Sequence, residues 1–130
     1  LSWSFVNGTP ALRIRLANPF LDVTYPTEGA ILGVFDTGYG GFVLVPDSIF
    51  RALRFHELRS QSVTLIVADG RRVRFKEVLG SLELPDIDVR EDGAIQTHPK
   101  AREILVGMAA LRRLAAHVDG CRRMLSLEVC

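Results

Sequence analysis

Residues 31–45 read ILGVFDTGYGGFVLV, two continuous apolar runs of strand length joined by an acidic residue and a glycine-rich turn. Apolar runs this short, bounded by turn residues, read as buried strands. Asp36 therefore falls at the point where sheet interior turns. A lone carboxylate between such segments is costly unless it is paired, hydrogen-bonded or protonated. That cost marks Asp36 as a candidate functional residue.

The rest of the chain is punctuated in the same way. Leu12 to Leu16 alternate apolar and Arg, the period of a half-buried strand, and Asn7-Gly8 predicts a turn joining it to an earlier strand with Trp3 and Phe5. Residues 17–29 carry two prolines and read as an irregular connection or an edge strand. Pro46-Asp47-Ser48 opens a short capped helix that buries Ile49, Phe50 and Leu53. Val63–Val67 and Arg72–Phe75 flank Ala68-Asp69-Gly70, a hairpin signal, and a further strand is predicted over Val78–Leu84. Residues 85–100 are polar, with strand fragments at Ile87–Val89 and Ala94–Ile95. Ile104–Val106 reads as a buried strand ended by Gly107, MAALRRLAAH as a helix, and residues 117–129 as a closing hairpin around Asp119-Gly120. Trp3 and the phenylalanines are assigned to the core. Many short strands with two short helices predict a mainly β domain, and 130 residues at 48% hydrophobic content suit a single one spanning 1–130.

Composition excludes several functional classes. A formal charge of +1 without a long basic run predicts no nucleic-acid partner. No stretch approaches the roughly 18–20 apolar residues that span a bilayer, so no membrane partner is expected and a cytoplasmic location is the default. Cys121 and Cys130 make neither a disulfide framework nor a zinc pattern, and no histidine pair has metal-ligand spacing, so no metal is expected.

The turn after Asp36 is tested against known chemistries. A Walker loop needs Gly-Lys-Ser/Thr opening a helix, whereas Gly38–Gly41 are followed by FVLVP. A dinucleotide fingerprint lacks its third glycine and its helix. No G-x-S-x-G occurs, and His56, His98 and His117 read as structural or exposed.

What remains is Val34-Phe35-Asp36-Thr37-Gly38, which resembles the active-site loop of the aspartic proteases. About thirty residues on, VTLIVADGRRVRF stands where that fold carries its flap hairpin, and about seventy residues on, ILVGMAALRRL is similar to its second apolar-apolar-Gly element. Order, spacing and the terminal hairpin resemble a retroviral-type, retropepsin-like domain over about Val6 to Val129. The resemblance implies a closed β-barrel, one lobe of an aspartic protease, and a homodimer, because only one catalytic Asp is present and Asp69, Asp92 and Asp119 lie in Asp-Gly turns. It implies an aspartic endopeptidase acting on peptides or proteins without metal or organic cofactor; the alternative is a non-catalytic dimeric peptide-binding or dimerisation module. Asp36 would be the acid/base, Thr37 the grip across the dimer and Gly38 the turn residue. Leu105, Val106 and Gly107 would support the loop. Tyr39, Ala68, Asp69, Gly70 and Arg71 would line flap and cleft, and MLSLEVC with the first strand would form the interface. Tyr39 stands where retroviral members carry Ala and pepsin-like ones Ser or Thr.

Overall fold

The computed structural model describes residues 1–67 and 69–130. In chain order the strands are β1 (Ser2–Ser4), β2 (Ala11–Asn18), β3 (Val23–Tyr25), β4 (Ile31–Phe35), β5 (Val43–Leu44), β6 (Gln61–Ile66), β7 (Arg72–Leu84), β8 (Val89–Thr97), β9 (Leu105–Val106), β10 (Leu114–Asp119) and β11 (Met124–Val129). One helix, α1 (Asp47–Ala52), follows β5.

Six strands close into a barrel in the order β2-β4-β9-β5-β8-β7, because β2 pairs antiparallel with β4 through Ala11–Ile14 and with β7 through Arg15–Ala17. Closure leaves no free edge in this ring. Two contacts in it are parallel, β4 with β9 and β5 with β8, and β9, antiparallel to β5 on its other side, lies between the two strands that flank Asp36. β3 adds to β2 outside the ring, and β6 pairs with β7 as a projecting hairpin. A separate sheet has the order β1-β11-β10. Leu114, Leu125 and Leu127 of that sheet share one core with the barrel residues Leu12, Ile14, Val43, Leu82 and Ile95.

Several expectations are met. The Arg–apolar alternation of β2 buries Leu12, Ile14 and Leu16, and β3 is the edge strand predicted within 17–29. α1 turns Phe50 inward, with Leu53 buried immediately beyond it and Ile49 half-buried, although Pro46 is its N-cap and no side chain caps it.

Others are corrected. The Asn7-Gly8 turn forms, with Val6 and Thr9 exchanging backbone hydrogen bonds at 2.9 and 3.0 Å, but the hairpin stops there. β1 pairs instead with β11, and β2 is fully engaged by β3, β4 and β7. MAALRRLAAH is a helix only for one 3₁₀ turn, Met108–Leu111, after which Leu114–Asp119 extend as β10. β11 offers six residues in register, and this pairing outweighs the local helix propensity. Residues 89–97 form one strand rather than fragments, held in register by β7 from Lys76↔Thr97 to Leu84↔Val89. The polar side chains there find partners on the barrel's outside, such as Glu91 with Arg113 at 2.6 Å.

Candidate active site

Asp36 follows the last residue of β4, and its backbone N–H donates to the Val106 carbonyl of β9 at 3.0 Å. Next to it Val34 N–H bonds the Ile104 carbonyl at 2.8 Å and Gly107 N–H the Phe42 carbonyl at 2.9 Å. The start and end of the loop are thus both fixed to one short strand, which holds Asp36 by backbone bonds alone. Leu105, Val106 and Gly107, expected to support the loop, occupy this position. Val106 is buried, and Leu105 is half-buried and lines the adjoining cleft.

The Asp36 carboxylate is half-buried, less enclosed than sheet interior would suggest. The turn carries it to the barrel's rim. One oxygen accepts the Gly38 N–H at 2.9 Å, and the residue has no ion-pair partner among the described residues. A carboxylate with one lone-pair site held by the backbone and the rest open is oriented yet available. Thr37 and Gly38 are exposed at the tip, and the Thr37 hydroxyl makes no hydrogen bond among the described residues.

Tyr39 turns back against the outside of the barrel wall. Its hydroxyl donates to Gln96 Oε1 at 2.5 Å, and Gln96 Nε2 donates to Glu77 Oε1 at 2.8 Å. Burial first, then the Glu77 carboxylate, pushes the phenol above the ordinary tyrosine range, so it remains a neutral donor. The ring fills the space where a Cβ at Gly107 would lie, 2.6 Å from Tyr39 Cδ2, which explains the glycine there.

Beside this loop lies a cleft of about 690 Å³ lined by Gly38–Gly41, Leu44, Leu65–Val67, Phe75, Gln96, His98 and Leu105. Its far wall is the β6–β7 hairpin. At the hairpin's end Val67 N–H bonds the Arg71 carbonyl at 2.9 Å, and Gly70 has φ of 84°. Asp69 accepts both the backbone N–H of Arg71, at 3.0 Å, and its guanidinium Nε, at 2.5 Å. The backbone bond first, then the side-chain bond and charge of Arg71, hold the Asp69 carboxyl below the usual range. Ala68, an expected substrate contact, lies outside the described residues. Asp69, Gly70 and Arg71 are exposed on the hairpin and do not touch Asp36 or the cleft.

Residues not anticipated as part of the site are Gln96, His98, Phe75 and Glu77. They lie on β7, β8 and the turn after β8, where the polar sequence concealed a strand. The apolar Ile95 within Ala94–His98 was the available signal, since alternation about it aims Gln96 opposite. Among the described residues no group of three or more His, Cys, Asp or Glu is placed to hold a metal ion.

The arrangement has relatives. The crystal structure of a retropepsin-like aspartic protease from Rickettsia conorii matches with a TM-score of 0.59 over 92% of each chain, at 17% identity. An uncharacterized protein of Archaeoglobus fulgidus is 35% identical over 126 residues, which cover 97% of this chain and 98% of that protein. The chain has a retropepsin-like fold and belongs to one family with the archaeal protein. No family model matches it.

The segments expected at the interface, MLSLEVC and the first strand, lie side by side in the small sheet. β11 lies between β1 and β10; β10 pairs along all of Met124–Val129, whereas β1 covers only Met124–Ser126, with Leu1 bonding Leu127. The open edges of the small sheet belong to β1 and β10. Leu1, Val118 and Val129, on or beside this sheet, are exposed apolar residues. Among the described residues no helix is long and apolar enough to cross a membrane.

Proposed function

We propose that this chain is a homodimeric aspartic endopeptidase in which Asp36 from each of two subunits forms the catalytic pair. The observation that carries the proposal is the placement of Asp36. It is fixed to β9 through its own backbone, with its carboxylate oriented by Gly38 N–H and without an ion-pair partner among the described residues, at the start of a loop whose Gly38–Gly41 line a cleft bounded by a projecting hairpin. A single such carboxylate is half of a general acid/base pair. Two, brought close about a twofold axis, cannot both ionise and share a proton, and their titration belongs to the pair.

The ionised member takes a proton from water as the water oxygen attacks the peptide carbonyl carbon. The protonated member gives its proton to the carbonyl oxygen. The resulting gem-diol collapses as the C–N bond breaks. The carboxyl that took the proton from water gives it to the leaving amine, and the other carboxylate takes a proton from a gem-diol hydroxyl, which restores the shared-proton pair. No side-chain nucleophile is needed. Thr37, exposed at the loop tip with its hydroxyl free among the described residues, is suited to bond the partner's loop. The β6–β7 hairpin, from Leu65 to Phe75, would cover an extended peptide, with Tyr39 and Leu105 forming part of the floor. The open β1 and β10 edges and the exposed Leu1, Val118 and Val129 are the surfaces offered to the second copy. Two exposed free thiols, Cys121 and Cys130, fit a reducing, cytoplasmic setting.

The test is peptidase activity on a denatured protein substrate across acid to neutral pH, with sedimentation on the same sample. The expected result is a dimer whose activity is blocked by a hydroxyl-containing transition-state mimic and abolished in Asp36→Asn, with the dimer retained. Activity surviving in Asp36→Asn overturns the mechanism. A chain that binds peptide without cleaving it is instead the non-catalytic binding module.

A further inference from the structure

On β7 the residues Arg72, Arg74 and Lys76 are two apart and exposed on one face, while Phe75 between them is buried and lines the cleft. Their register partners on β6 are Ile66, Thr64 and Ser62, and that of Lys76 on β8 is Thr97, so no neighbouring strand opposes them with a carboxylate. The loop after β8 brings His98, Pro99 and Lys100 against the same face. One hollow of about 470 Å³ is bounded by Val67, Arg72, Arg74 and Lys100, and a second of about 640 Å³ by Arg74, Lys76, Thr97 and one carboxylate, Asp47. Both include His98, which also lines the cleft beside Asp36, and the first shares Val67 with it. The basic rim thus lies on the face of β7 opposite Phe75 and meets the cleft at its edge, at Val67 and His98.

The chain as a whole is almost balanced, with 16 basic and 15 acidic residues. Eight arginines stand within 4 Å of a carboxylate. None of Arg72, Arg74, Lys76 and Lys100 has such a partner among the described residues. Asp47, which lines the second hollow, is paired with Arg51, and Asp69 on the hairpin with Arg71. The positive potential here thus arises from segregation, and it stands beside one edge of the cleft.

We propose that this rim receives acidic side chains of a peptide whose backbone lies in the cleft, so that the substrates are peptides carrying Asp or Glu to one side of the bond that is cut. The inference rests on the cleft being a peptide site, as proposed above. Charge complementarity at exposed positions acts over a Debye length and weakens with salt, which supplies its signature.

The experiment measures binding of two fluorescent peptides that differ only by two Glu→Gln replacements, to the Asp36→Asn dimer at low and high salt, and cleavage of both by the unaltered protein. The acidic peptide should bind roughly tenfold tighter at low salt, the worth of about two exposed pairs. That preference should shrink as salt is raised and fall to about one in Arg74→Glu/Lys76→Glu. If that variant does not fold, Arg74→Gln/Lys100→Gln should still reduce the ratio. Equal affinity of the two peptides overturns the inference and leaves the peptidase reading standing. Failure to bind or cut either peptide overturns both. An oligothymidylate that competes as well as the acidic peptide makes the rim a general polyanion surface, and also overturns it.

Discussion

The Tyr39 hydroxyl donates to Oε1 of Gln96 at 2.5 Å, and so ties the loop that carries Asp36 to the middle of the barrel wall. Gln96 is buried and its amide is in turn held by Glu77. Tyr39→Phe leaves the Gln96 oxygen without its donor, and a buried acceptor left unpaired costs about 1–3 kcal/mol. Urea unfolding should show that loss.

The same residue gives a pH signature. The Tyr39 pKa is raised in the folded state, so its contribution to stability is complete below the ordinary tyrosine value and fades as pH climbs from there towards the folded value. The unaltered protein should lose stability from about pH 10 upward. Tyr39→Phe should lack that component of the decline, as read from unfolding midpoints across the alkaline range.

Gly107 is surrounded on the side where a Cβ would project, with Tyr39 Cδ2 and the Tyr39 carbonyl each 2.6 Å from that point. Backbone cannot yield as a flexible side chain can, so Gly107→Ala should destabilise by about 1–3 kcal/mol. Gly120→Ala is the control, because nothing lies within 4 Å of its Cβ position and its φ is ordinary. Thermal melts should show a marked drop for the first and little change for the second.

Asn18, fully buried at the end of β2, donates to the Leu53 carbonyl at 2.8 Å and accepts from the Phe20 and Leu21 N–H groups at 3.1 and 3.3 Å. Asn18→Ala strands all three backbone groups and should cost about 2–3 kcal/mol in chemical denaturation.

Thr97 offers the opposite sign. Its Oγ1 is buried with no hydrogen-bond partner among the described residues. Thr97→Val exchanges that hydroxyl for a methyl of nearly the same size, and should raise stability by about 1 kcal/mol, measured in the same way.

Sequence determined those features that local chemistry enforces. The Asp69-Gly70 hairpin and the Asn7-Gly8 turn need backbone conformations that few residues adopt, and after Asp36 a Cβ at Gly41 would strike the Tyr39 ring, so these positions are written residue by residue. The alternation in β2 and the short apolar runs of β4 and β9 likewise declare themselves as strands. Tertiary structure decided what depends on a partner distant in the chain. Leu114–Asp119 contain good helix formers, and only the six-residue register with β11 makes them a strand. Val89–Thr97 look like a polar loop until β7 lies alongside to pair their backbone, which then places Gln96 against Tyr39 and His98 against the cleft. β1 passes over its neighbour in sequence because β11 completes a sheet with it, and that choice fixes which edges stay open. The energy of a strand lies in hydrogen bonds and side-chain contacts with another strand, and a single stretch of sequence carries only half of that information.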